Sequence, residues 1–195
     1  FTCNSIYYNP ATRKVIDFYG GVKAIKEKKL SMIGDPKIRF DEDPVRILRA
    51  IRFSAKLNLK IDKNIIEAIE SKKTQLQSIP YSRLFDEIMK LFLTGHALQS
   101  IDLFNKFNLS NYYFPSFKST DPKTQSFLLK GLSDTDMRIH SNKSVNPGFL
   151  LSVFLWKEVK EVWGKRNKTS INSTVALNDA IEYVLEKQSK IFPIQ

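Results

Sequence analysis

The stretch Arg39-Phe40-Asp41-Glu42-Asp43-Pro44-Val45-Arg46-Ile47-Leu48-Arg49-Ala50-Ile51-Arg52-Phe53 constrains the chain more than any other. It predicts a helix over 42–57 with a sharply marked start. Asp43 stands where a capping carboxylate belongs, and Pro44 fits the first helical position, where a missing N–H is no loss. Val45, Leu48, Ile51 and Ala55 recur at three- and four-residue steps and form one apolar stripe. Arg46, Arg49, Arg52 and Lys56 spread over the remaining surface. Asp43 and Arg46 are three residues apart, so their side chains can sit together at the positive end of the helix.

Two readings of that pair are open on local physics. In one, which local physics favours, Asp43 is an acidic cap and Arg46 its ion-pair partner. In the other, the pair reads a nucleobase. A carboxylate accepts from an exocyclic amino group, and a guanidinium donates to the ring nitrogen beside it. Adenine and cytosine both present an amino donor next to a ring acceptor. Guanine and uracil present a carbonyl and a ring N–H there. Such a pair would accept A or C and reject G or U.

Glu42-Asp43-Pro44-Val45-Arg46, followed by Ile47-Leu48-Arg49-Ala50-Ile51-Arg52-Phe53, resembles the EDxxR helix of the class II nucleotidyltransferases, the bacterial poly(A) polymerases and CCA-adding tRNA nucleotidyltransferases. The resemblance implies that Asp43 and Arg46 pair with the base of the incoming nucleotide, and it reverses the local preference. It also makes Asn4, Glu42, Arg49, Arg52, Arg83 and Glu87 candidates for nucleotide contact or support of the helical neck. Phe1-Thr2-Cys3-Asn4-Ser5-Ile6-Tyr7-Tyr8 is similar to the family segment after its Arg-Arg-Asp motif, which would then lie just before Phe1. Asp17-Phe18-Tyr19-Gly20-Gly21 looks like the flexible link between head and neck; by structure alone it is a strand-to-helix turn. Asp134 to Trp156, with Asp136, Arg138-Ile139-His140 and Val145-Asn146-Pro147, resembles the poly(A) polymerase branch more than the CCA-adding branch.

The implied fold is mainly α: a helical neck and body bundle, preceded by a small β-hairpin remnant of an α/β nucleotidyltransferase head. The implied division is 1–33 for the end of the head and the link, 34–118 for the base-reading and RNA-binding neck, and 119–195 for an incomplete body. ATP is the expected substrate. Mg²⁺ is expected in the intact enzyme but not on this chain. The expected macromolecular partner is an RNA 3′ end, of mRNA or another RNA, or of tRNA in the CCA-adding alternative.

Composition agrees with an anionic partner. The chain has 195 residues, a formal net charge of +11 and a pI near 9.6, which favours nucleic acid first and an acidic membrane surface second. A basic surface kept only for solubility would look the same. The single cysteine, Cys3, excludes an internal disulfide framework and fits a reducing, cytoplasmic compartment. No apolar run reaches the roughly 18 residues of a membrane span, and no signal-peptide pattern is present. The first residue is Phe1 rather than Met, consistent with a start inside a longer sequence.

Along the chain, Phe1–Tyr8 and Lys14–Phe18 predict a hairpin around Asn9-Pro10-Ala11-Thr12. A short helix over Val22–Lys28 and an extended piece at Leu30–Ile33 follow, ended by Gly34-Asp35-Pro36. Helices are expected from Asp62 to Lys73, over 81–94, 97–107 and 124–140, from Pro147 to Trp156, and over 171–192. Arg83 and Glu87 are four apart on one face. Their order is the weaker one for an exposed helix pair, and the resemblance makes them a brace for the neck. Tyr112, Tyr113 and Phe114 read as packed rings rather than base-stacking ones. Residues 157–168 are either a solvated linker or an RNA-backbone contact. His96 and His140 are read as isolated structural or surface residues.

Nucleotidyl transfer usually needs two Mg²⁺ ions clamped by carboxylates. No strand-borne Asp-x-Asp stands in this sequence. Asp41 and Asp43 have the spacing, but they fall at a helix start. The chain alone is therefore not expected to catalyse transfer. A part of a poly(A) polymerase leads; a CCA-adding enzyme, a stand-alone RNA-binding helical module and, more weakly, a DNA-binding protein are the rivals.

Overall fold

The computed structural model describes residues 1–110, 121–167 and 172–188. It divides into two compact units, Phe1–Ile79 and Pro80 onward.

In the first unit a 3₁₀ turn, Thr2–Asn4, leads into a hairpin of β1 (Ile6–Asn9) and β2 (Lys14–Asp17). The strands are antiparallel, with Ile6 opposite Asp17 and Asn9 opposite Lys14. Asn9 forms the turn, its side-chain oxygen accepting the N–H groups of Ala11 and Thr12 at 3.0 and 3.2 Å. The strand expected from Phe1 starts only at Ile6. Thr2 donates its N–H to the Ser31 carbonyl at 3.0 Å, and its own carbonyl accepts from Ser5. These backbone groups are committed to a turn, not to a ladder.

Helix α1 (Gly21–Lys26) is followed by β3 (Lys29–Leu30), which pairs in parallel with β4 (Lys60–Ile61). Between them lie α2 (Pro36–Glu42) and α3 (Val45–Leu57). Helix α2 was not expected. It starts as α3 does, on an Asp-Pro pair: the Asp35 carboxylate accepts the Lys37 N–H at 2.8 Å, and Pro36 opens the helix. The helix expected over 42–57 therefore begins at Val45, with Glu42 and Asp43 at its junction with α2. It stops at Asn58, whose φ of 50° is left-handed. Ile47 and Ala50 are buried beside the expected stripe, because α3 packs on α2 and also on β3 and β4. Helix α4 (Lys63–Lys72) and a 3₁₀ segment, Lys73–Ser78, complete the unit. Leu30, Phe40, Ile47, Ile51, Ile65 and Ile69 form its buried centre.

The second unit contains α5 (Tyr81–Phe92), α6 (Ala97–Lys106), α7 (Pro122–His140), α8 (Pro147–Arg166) and α9 (Ser173–Gln188). Phe92 meets Phe104 and Phe154 edge-on at 6.2 and 5.1 Å between ring centres. Gly131 allows close approach of α7 to α8, since a Cβ there would stand 2.6 Å from a Val153 methyl. Asp121 and Asn146 cap α7 and α8, each followed by proline. The charged segment after Trp156 is not a linker: α8 continues through it to Arg166, with Val159 buried against its neighbours. His96 and His140 are not isolated either; their rings meet edge-on at 5.9 Å. The aromatic turn at 111–115 lies outside the described residues. Among the described helices none is long and apolar enough to cross a membrane. The architecture is mainly helical with a leading hairpin, as expected.

Candidate functional site

The junction of α2 and α3 is built by one residue. The Asp43 N–H closes α2 on the Arg39 carbonyl at 3.3 Å. Its carbonyl accepts the Arg46 N–H at 3.1 Å and its carboxylate the Val45 N–H at 3.2 Å, opening α3. Asp43 is half-buried. Its carboxylate thus sits at the positive end of α3.

Arg46 reaches back across the break. Its Nη1 donates to the Arg39 carbonyl and to the Glu42 carboxylate, both at 2.7 Å. The same Glu42 oxygen accepts from Arg39 Nη1 at 2.6 Å. Glu42 is thereby held between two guanidiniums, with its carboxyl below the usual range because of the Arg46 hydrogen bond first and the Arg39 charge next. A depressed carboxylate stays ionised well into acid, and its interaction is lost only as pH falls through the depressed value. A carbon-detected titration of Glu42 in this chain should therefore give a midpoint below the ordinary glutamate value of about 4.3, moving upward in Arg46→Ala. A midpoint at or above the ordinary value would mean that the clamp is absent in solution.

Arg39, Arg46 and Arg49, with Phe1, Tyr19, Met32 and Ile33, line a cavity of about 350 Å³. That volume falls in the range of small-ligand pockets. Its chemistry combines cationic donors with aromatic and apolar walls, which suits an anionic, aromatic ligand. Arg49 and Arg52 also lie 5.8 and 4.9 Å from the Phe53 ring centre, and Phe1 meets that ring edge-on at 5.6 Å. The Arg49 Nε is buried without a hydrogen-bond acceptor. Arg46 thus faces a cleft, while Asp43 is at the adjoining helix start rather than in the cavity lining. Arg39 was missed as a site residue, although its spacing to Glu42 on one helix signalled it.

Asp17, Gly20 and Gly21 form a capped helix start. The Asp17 carboxylate accepts the N–H groups of Val22 and Gly21 at 2.8 Å and of Tyr19 at 3.3 Å. These bonds, Val22 first, hold its carboxyl below the usual range. Gly20 has φ +70°. Asn4 ends the first 3₁₀ turn and is exposed. Arg83 and Glu87 lie on α5, in the other unit. Arg83 is exposed, and Glu87 accepts from Lys90 at 3.1 Å.

Mg²⁺ does not fit the carboxylates present. Asp41 is turned onto Lys72 and Gln75, at 2.6 and 2.7 Å, and Asp43 onto the helix start. No cluster of three or more His, Cys, Asp or Glu suited to a metal occurs among the described residues.

Two family profiles match the chain: the "Poly A polymerase head domain" over residues 1–31 and the "Probable RNA and SrmB- binding site of polymerase A" over residues 58–120. The chain belongs to the family of poly(A) polymerases and CCA-adding enzymes. Within that family it is 36% identical over 166 residues to poly(A) polymerase I of Haemophilus influenzae, covering 83% of this chain and 37% of that protein. It is 30% identical over 182 residues to the CCA-adding enzyme of Streptococcus thermophilus, covering 93% of this chain and 44% of that protein. A solved complex of a CCA-adding enzyme with CTP superposes with a TM-score of 0.63 at 25% identity, over 97% of this chain and 46% of that one. The chain spans less than half the length of each of these relatives.

Proposed function

We propose that this chain is the nucleotide-selecting and RNA-holding part of a template-independent RNA nucleotidyltransferase that adds AMP from ATP to RNA 3′ ends. The observation that carries this reading is the α2–α3 junction, with Arg46 on a cationic, aromatic cavity and Asp43 at the helix start beside it. Its sequence, Glu42 to Phe53, resembles the EDxxR helix of the family. Asp43 accepts from the amino group of the base and Arg46 donates to its ring nitrogen. Glu42 and Arg39 hold Arg46 in place; Arg49, Arg52 and Asn4 support the nucleotide or the neck. Asp17, Gly20 and Gly21 link head to neck, and the division of the chain is 1–33, 34–118 and 119–195. Any Mg²⁺ of the intact enzyme would be held by residues other than these. The intact enzyme works in the cytoplasm.

Arg83 and Glu87 brace the neck. Glu87→Ala is expected to narrow the preference for ATP over GTP in the intact enzyme; unchanged folding and unchanged preference would remove the role.

The second reading, a CCA-adding enzyme, is favoured by the likeness to the CTP complex. Asp43 and Arg46 serve either, because adenine and cytosine offer the same edge. Supplying ATP or CTP to the intact protein separates them. Long A tails on a generic RNA primer support tailing, and addition of C and A only to tRNA ends supports the other. Binding of the chain to RNA should also weaken steeply with added salt; salt-independent binding would contradict the phosphate contacts.

A further inference from the structure

The antiparallel pair α7 and α8 leaves a face of large rings in solvent. Phe127 is 46% exposed, Trp156 37% and Phe149 43%. Phe149 and Trp156 are seven residues apart on α8, so they share a face. The Phe127 and Trp156 rings stand side by side across the helix pair, 6.4 Å between centres and tilted by 35°. What sets these rings apart from singly exposed apolar residues is that two of them adjoin across the helix pair.

Lysines stand around the rings, with Asp121, Asp134 and Glu161 among them on the same two helices. Gly131 abuts Val153 and Phe127 abuts Trp156; by helical spacing Lys123 is one turn from Phe127 and Lys160 one turn from Trp156, each on its ring's face. Both lysines are exposed. Lys130, one turn from Phe127, has 69% of its side chain exposed and pairs with Asp134 at 2.9 Å. Rings flanked by lysines are the arrangement that takes single-stranded nucleic acid: bases stack on the rings while the ammonium groups follow the phosphates. An apolar protein segment would gain nothing from the lysines, and the whole chain carries +11.

We propose that the Phe127–Trp156 face is a second contact for single-stranded RNA, stacking one or two bases upstream of the 3′ end. It lies outside both matched family segments, which end at 31 and 120. The inference rests on the RNA-acting reading above. Lys123 and Lys160 neutralise phosphates on either side of the stacked bases, and Trp156 supplies the larger stacking surface.

The test uses the full 195-residue chain and two labelled probes, an oligoadenylate and an abasic oligomer of equal charge. The expected result is tighter binding of the oligoadenylate, with quenching of tryptophan fluorescence. Phe127→Ala with Trp156→Ala should weaken oligoadenylate binding by about tenfold or more and leave the abasic oligomer unaffected. Trp156→Phe should keep most of the binding, and Lys123→Glu with Lys160→Glu should weaken both probes. Circular dichroism establishes that each variant is folded. A folded double-alanine variant that binds oligoadenylate as the parent does would overturn the inference. So would sedimentation showing that the parent self-associates through these rings and the variant does not. If the parent binds neither probe, the RNA-acting reading fails with it; if it binds and the variants do not differ, only this face is wrong.

Discussion

Asp136→Ala is expected to lower the stability of the second unit by about 3 kcal/mol. Asp136 is 8% exposed and sits on α7, yet its two carboxylate oxygens accept the N–H groups of Ala97 and Leu98 at 2.7 and 3.1 Å. These are orphan donors of the first turn of α6. His96, at the cap position, turns its ring to the Thr94 carbonyl instead, at 2.9 Å. A residue 39 positions away therefore does the capping. Alanine would remove a charge-assisted pair of bonds and leave the N–H of fully buried Ala97 without an acceptor. Thermal unfolding should shift down by roughly 10–20 °C. Asp136→Asn, keeping one acceptor, should fall between. A shift of only a degree or two in Asp136→Ala would mean that water replaces the carboxylate and that the cap contributes little.

Gly21→Ala should cost the first unit a comparable amount, about 3 kcal/mol or more, through overpacking against backbone. A Cβ at Gly21 would stand 2.2 Å from the Thr2 carbonyl oxygen and 2.9 Å from an Ile6 side-chain carbon. The Thr2 peptide cannot retreat freely, because its N–H is on Ser31 and its carbonyl holds Ser5. Gly20 is the contrasting control. Nothing lies within 4 Å of its Cβ position, and only its φ of +70° resists a side chain. Gly20→Ala should therefore cost only about 1 kcal/mol. Equal losses at the two positions, measured by denaturant unfolding, would contradict this assignment of close approach to Gly21 and of turn geometry to Gly20.

Local signals explain what was legible in the sequence. Asn9 gave the hairpin turn, Asp43-Pro44 the start of α3 and Asn58 its end. The same Asp-Pro signal stood at Asp35-Pro36, but a helix of seven residues with few apolar positions offers little periodicity, so the pair was read as the end of a strand. Strand β4 is two residues long, and its partner is β3; no alternation can announce it. The charged second half of α8 was ambiguous because lysines and glutamates dominate its composition, and only Val159 is fully buried, with Val162 and Trp163 half-buried. Distant meetings were out of reach altogether. His96 with His140, Asp136 with α6, and Lys72 with Asp41 depend on how helices pack, and spacing along the chain does not encode them. At the candidate site, the Glu42–Arg46 spacing is the favourable one for a helix pair. It was passed over because Asp43, three residues before Arg46, offers a second carboxylate in reach, and the local reading pairs Arg46 with that one instead.

Asp43 and Arg46 are proposed to read an amino group beside a ring acceptor. The most direct measurement compares ATP with inosine triphosphate in the intact enzyme. Inosine keeps the purine but presents a carbonyl and a ring N–H on the same edge. The account predicts ATP to be used about a hundredfold better or more, with the gap shrinking in Asp43→Ala and in Arg46→Ala. Equal use of the two nucleotides, or a gap untouched by both substitutions, would contradict it.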